Sequence, residues 1–99
     1  MKRAEAIARL KAVEPALRAH GVGGLYLFGS YSRDEAGPDS DVDVFVDPAS
    51  DEFYGLDNFM GAYEELQSVF PSNKIGYSTR EGLSKYIRAD VEEQSIRIF

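Results

Sequence analysis

The chain has 99 residues, of which 43% are hydrophobic, with no cysteine and a formal net charge of −6. That length is one small domain of ordinary globular composition. It excludes a disulfide framework and a thiolate metal site, and no apolar run reaches the ~18–20 residues a membrane-spanning helix requires. The first fourteen residues, MKRAEAIARLKAVE, are broken by charges and do not read as a secretory signal, so a cytoplasmic setting is expected. Nine acids and no Lys or Arg lie between Asp34 and Asp57. This argues against a nucleic-acid-binding face, which is basic, and makes a cation the natural partner of that stretch.

Residues 2–20 read as helix from the spacing of Ile7, Leu10 and Leu17. Pro15 lacks an amide donor, which predicts a kink or two short helices with Pro15 in the first turn of the second. Gly21, Gly23 and Gly24 end the region. Leu25–Phe28 is a short apolar run and reads as a buried strand leading into Gly29-Ser30. A brief helix is expected over 31–36, then a turn at Gly37-Pro38-Asp39-Ser40. From Asp41 to Asp47 polar and apolar residues alternate. Val42, Val44 and Val46 therefore share one face, and Asp41, Asp43, Phe45 and Asp47 the other.

A second long helix is expected from Leu56 to Val69, with Phe59, Tyr63, Leu66 and Phe70 on its apolar side. Ile75–Ser78 is a short third strand. Glu81–Ile98 reads as a terminal helix offering Leu83, Tyr86, Ile87, Val91 and Ile96 to the core. Phe53, Tyr54, Phe59 and Tyr63 are mostly core, and any excess exposure there marks a partner surface. His20 reads as a helix C-cap. The order α-β-α-β-α-β-α gives an α+β (or α/β) fold with a small mixed sheet flanked by helices, organised as a single domain over 1–99.

The chemistry concentrates in GSYSRDEAGPDSDVD. Asp41 and Asp43 leave the same edge of a strand roughly 6.5–7 Å apart. Their repulsion is ~2–3 kcal/mol at an effective dielectric of ~20, which a hard divalent cation such as Mg²⁺ relieves. Gly29 lets a phosphate approach the backbone. Ser30 offers a hydroxyl, the expected helix start offers free amides, and Arg33 is the one cation able to clamp a phosphate. Other motifs fail on placement. Gly21-x-Gly23 precedes a strand instead of following one, and no P-loop pattern occurs. Val44 and Ser50 stand where an EF-hand loop needs Gly and Glu. The Asp-x-Asp pair opens its strand, unlike a phosphatase motif at a strand end.

On LFGSYSRDEAGPDSDVDVFVD, residues 27–47, the chain resembles the minimal nucleotidyltransferase family of the DNA polymerase β-like superfamily. The resemblance implies transfer of a nucleoside monophosphate from an NTP, ATP first among them, to an acceptor hydroxyl with two Mg²⁺. It implies triphosphate contacts from Gly29 and Ser30, a phosphate contact from Arg33, a further contact of this kind from Ser40, and metal ligation with catalysis at Asp41 and Asp43. Small members resemble antitoxins that act on a HEPN-type partner protein, some by adenylylating a tyrosine. The family's usual third carboxylate falls, in this chain, at Gly76. Asp47 lies ~13 Å along the strand from Asp43, too far to replace it. The departure keeps two alternatives open beside transfer: an antitoxin-like module that neutralises its partner by contact, and a nucleotide- or metal-sensing domain.

Overall fold

The computed structural model describes residues 1–99. Two helices open it, α1 (Arg3–Ala12) and α2 (Glu14–Ala19), with Pro15 at the start of α2, where its missing amide leaves no helical bond unmade. Strand β1 (Val22–Phe28) follows, then β2 (Val42–Pro48), a short 3₁₀ turn at Asp51–Tyr54 and helix α3 (Leu56–Val69). Strand β3 (Ile75–Thr79), helix α4 (Arg88–Gln94) and strand β4 (Ile96–Arg97) complete the order. The fold is α+β: four strands in the order β3-β2-β1-β4, with β1 antiparallel to β2 and β4, and β2 parallel to β3. No helix is long and apolar enough to cross a membrane.

The period-2 pattern of β2 divides the molecule. Val42, Val44 and Val46 are fully buried in the larger core with Leu10, Leu17 and Leu66 from the three N-proximal helices. On the opposite face Phe45 is buried under Leu83 and Val91, with Tyr26 and Phe28 packed beside it. The 80–94 segment thus covers the middle of that face. Asp43 is left at one end and Asp47 at the other.

Three expectations are corrected. Residues 31–36 form no helix: turns run to Asp34, which has a left-handed φ of 59°, and the chain then continues without regular structure. Strand β1 begins at Val22, so Gly23 and Gly24 lie inside it. A β-bulge falls there, and Ala49 and Asp47 crowd the α-carbon of Gly23. The terminal segment is helical only over Arg88–Gln94. Beyond it, Ile96 and Arg97 pair with β1, because a strand edge there is open and the last residues alternate sides. Leu83, Val91 and, in part, Ile96 join the cores, whereas Tyr86 is 85% exposed and Ile87 is also exposed. Of the aromatic set, Phe53 is buried and Tyr54 is exposed.

Candidate active site

Gly29 ends β1 with a φ of 75°, a conformation open to glycine at little cost. The backbone there reverses tightly. The Arg33 amide donates to Gly29 O, the Asp34 amide to Tyr31 O and the Glu35 amide to Ser30 O. The Ser32 hydroxyl also donates to Gly29 O at 2.8 Å. The amides of Ser30, Tyr31 and Ser32 donate to no acceptor within the chain. Three consecutive amides are thus left without an internal acceptor, on a turn where Tyr31 and Ser32 are buried, and such donors suit an anion. The donors come from a turn and not from the helix start expected of 31–36.

Asp43 pairs with Phe28 on β1 and with Gly76 on β3. Its carboxylate lies between two glycines. A β-carbon built on Gly29 would run into Asp43 Oδ2, and one built on Gly76 would run into Asp43 Oδ1. The glycine turn and the second aspartate of the motif therefore touch. Asp41 sits one residue before β2, exposed, and close enough that its charge acts on Asp43. Burial first, then the Asp41 charge, raises the Asp43 pKa above its ordinary value; Arg33 opposes them. Neither carboxylate takes part in a salt bridge. A half-buried carboxylate with no cationic side chain bound to it suits a cation from solution.

Arg33 is exposed, and its guanidinium holds Glu35 and Gln94 of α4. Both bonds are solvent-facing, so an arriving phosphate can compete for the group. Ser40 closes the turn predicted at Gly37–Ser40. Its hydroxyl accepts the Gly37 amide at 2.8 Å and its carbonyl accepts from Asn73 Nδ2. The Ser40 side chain is thus occupied in shaping the loop that delivers Asp41.

Asp47 has a separate role. Its carboxylate takes two bonds of 2.8 Å from Arg80, which lowers its pKa below the ordinary value. Arg80 also reaches Glu92 at 2.9 Å and lies over the rings of Tyr26 and Phe45. Sequence reasoning missed Arg80. The only hint is an arginine directly after β3, the strand parallel to the one carrying Asp47. The hollow beside this ion pair, about 310 Å³ and lined by Ser50, Asp51 and Tyr54, lies away from Asp41 and Asp43. Those two acids line none of the surface hollows.

A family model described as nucleotidyltransferase domain matches residues 10–98. The chain belongs to the nucleotidyltransferase domain family. Among solved structures, this nucleotidyltransferase domain is similar to one described as a proposed minimal nucleotidyltransferase. That match has a TM-score of 0.80 and 26% identity and covers 97% of this chain and 95% of the other. It also resembles a toxin–antitoxin crystal structure with AMP-PNP at a TM-score of 0.68 and 24% identity, over 92% of this chain and 72% of that one. A mutant form of the toxin–antitoxin MntA-HpeT follows at 0.61 and 18%, over 100% and 73%. The last two establish likeness of fold. No curated protein matches the chain.

Proposed function

We propose that residues 1–99 act as a single minimal nucleotidyltransferase domain that binds an NTP, ATP first among candidates, together with Mg²⁺. In this reading it transfers the nucleoside monophosphate to a hydroxyl on a partner protein of the HEPN type, in the cytoplasm. The observation that carries the reading is the contact of Gly29 with the Asp43 carboxylate, which brings the unspent amides of the turn and the unpaired acids into one neighbourhood. The turn amides of Ser30, Tyr31 and Ser32, with the Ser30 hydroxyl, hold the triphosphate oxygens, and Arg33 leaves Gln94 to meet them. Ser40 contributes by holding the loop before Asp41.

The donor set fits Mg²⁺: two adjacent carboxylates, one exposed and one half-buried, both outside any salt bridge, are hard oxygen ligands. Held by Asp41 and Asp43, the ion supplies charge neutralisation at the triphosphate. In the transfer, the acceptor oxygen bonds to the α-phosphorus as the bond from that phosphorus to the pyrophosphate oxygen breaks. The acceptor proton passes to solvent water and pyrophosphate leaves. The chain's own work is positioning and electrostatics, which dominate phosphoryl chemistry. The fold neighbour with AMP-PNP supports a nucleoside triphosphate as the ligand.

Incubation with α-phosphate-labelled ATP, Mg²⁺ and a candidate HEPN-type partner protein tests the reading. Label on the partner, lost in Asp41→Ala, is expected. The absence of label, with Asp41→Ala indistinguishable from the parent, contradicts it.

One observation favours a second reading, neutralisation by contact: Gly76 puts no side chain beside Asp43, so no third acid stands there to accept the acceptor proton. A surface for such contact exists on α3, where Leu56 is 76% and Met60 42% exposed beside the acids Asp57, Glu64 and Glu65. Neutralisation that survives Asp41→Ala with Asp43→Ala favours contact over transfer.

A further inference from the structure

We infer that this site holds one divalent cation for each bound nucleotide, and that Gly76 sets that number. The inference rests on the nucleotide-site reading above. Two-metal sites place their ions ~3.5–4 Å apart and need ligands enough to clamp both. A Mg²⁺-like ion takes about six oxygens in a near-ideal octahedron. Here the donors are Asp41 and Asp43 alone, and nowhere in the chain do three or more His, Cys, Asp or Glu side chains gather in a way that holds a metal.

The neighbours of Asp43 explain the shortage. Its register partner on β1 is Phe28, and its register partner on β3 is Gly76. The next polar residue on its own face of β2 is Asp47, beyond the buried Phe45 and already held by Arg80. With no side chain at 76, the Asp43 carboxyl sits between Gly29 and Gly76, its Oδ1 in the space a side chain at 76 would take. Two carboxylates, the phosphate oxygens of one nucleotide and solvent water complete one octahedron. They leave a second ion without a protein ligand of its own. A carboxylate at 76 would take the space that Asp43 Oδ1 occupies, press the Asp43 side chain back toward Gly29 and supply the missing donor.

Equilibrium dialysis of the full chain against Mn²⁺ and AMP-PNP at saturating nucleotide reads the count directly, as retained Mn²⁺ per retained nucleotide. The expected ratio is about one for the parent and about two for Gly76→Asp. A ratio of about two for the parent, or of about one for a Gly76→Asp variant with native circular dichroism, overturns the inference and leaves the nucleotide site standing. If Gly76→Asp does not fold, the parent ratio alone decides. A parent that retains no AMP-PNP overturns the nucleotide-site reading, and this inference with it.

Discussion

Asp43 and Gly76 face each other across the parallel pair of β2 and β3, and the aspartate carboxylate fills the space a side chain at 76 would need. Gly29 touches the same carboxylate from the other side, with a φ of 75°. The two glycines should respond differently to alanine. Gly29→Ala meets both the carboxylate and a left-handed backbone, which costs about 1–2 kcal/mol for an L-residue. Gly76→Ala has only to displace a side-chain end, and alanine suits a strand better than glycine. Urea unfolding should therefore show Gly29→Ala less stable than Gly76→Ala by about 1–2 kcal/mol. Equal stabilities would contradict the described turn.

Burial and the Asp41 charge make ionised Asp43 unfavourable in the fold. With its folded pKa raised, the protonated form favours folding at low pH, and that contribution is lost as pH rises through the folded value. Asp43→Asn should thus be more stable than the parent at pH 7, the difference shrinking as pH falls toward 3.8, the ordinary value. Mg²⁺ should narrow the same gap at pH 7 by stabilising the parent alone. Thermal unfolding with and without Mg²⁺ checks both trends.

Asp47 behaves in the opposite sense. Its folded pKa lies below 3.8, held there by Arg80. The pair's contribution is present above the unfolded value and is lost as pH falls through the lowered one. Both side chains are about a third exposed, at 30% and 38%, and screening keeps the pair to about 1 kcal/mol at most. Arg80→Gln also removes the stacking on Tyr26 and Phe45, so it should cost about 1 kcal/mol more than Asp47→Asn. Urea midpoints from pH 2.5 to 6 should show the parent losing its advantage over Asp47→Asn at the acid end.

How much of this was legible in the sequence depends on the range of the interactions involved. The alternation from Asp41 to Asp47 revealed β2 and both its faces, because a period of two needs no partner to be read. Pro15 located the break between α1 and α2 for the same local reason. The glycine–serine turn and the two acids could be linked by spacing, and the register of Phe28 with Asp43 brings them together. The 81–98 segment was misread because Ile96 and Ile98 lie as readily on a helix pattern as on a strand. What decides between them is the open edge of β1, a long-range fact. Arg80 on Asp47, 33 residues apart, was invisible for that reason too. The missing helix at 31–36 is a different case: short-range hydrogen bonds back to Gly29, Ser30 and Tyr31 hold a turn there in place of a helix.

Gly61 stands inside α3, where glycine costs about 0.5–1 kcal/mol relative to alanine. The imidazole of His20, at the C-terminus of α2, packs against its α-carbon, and a β-carbon there would overlap the ring. Gly61→Ala should therefore fail to give its helix-propensity gain, and in a His20→Ala background it should recover it. A double-mutant cycle should report coupling of about 1 kcal/mol. Additive effects would show that the ring moves aside freely.

The account depends most on a nucleotide meeting the glycine–serine turn and the two aspartates together. Titration calorimetry of AMP-PNP into the chain with Mg²⁺ tests this most directly, with Asp41→Asn as the comparison because that side chain is exposed and unpaired. The account predicts saturable binding that is lost on chelating Mg²⁺ and weakened at least tenfold, about 1.4 kcal/mol, by the substitution. Binding that is absent from the parent, or unchanged by both treatments, would contradict it.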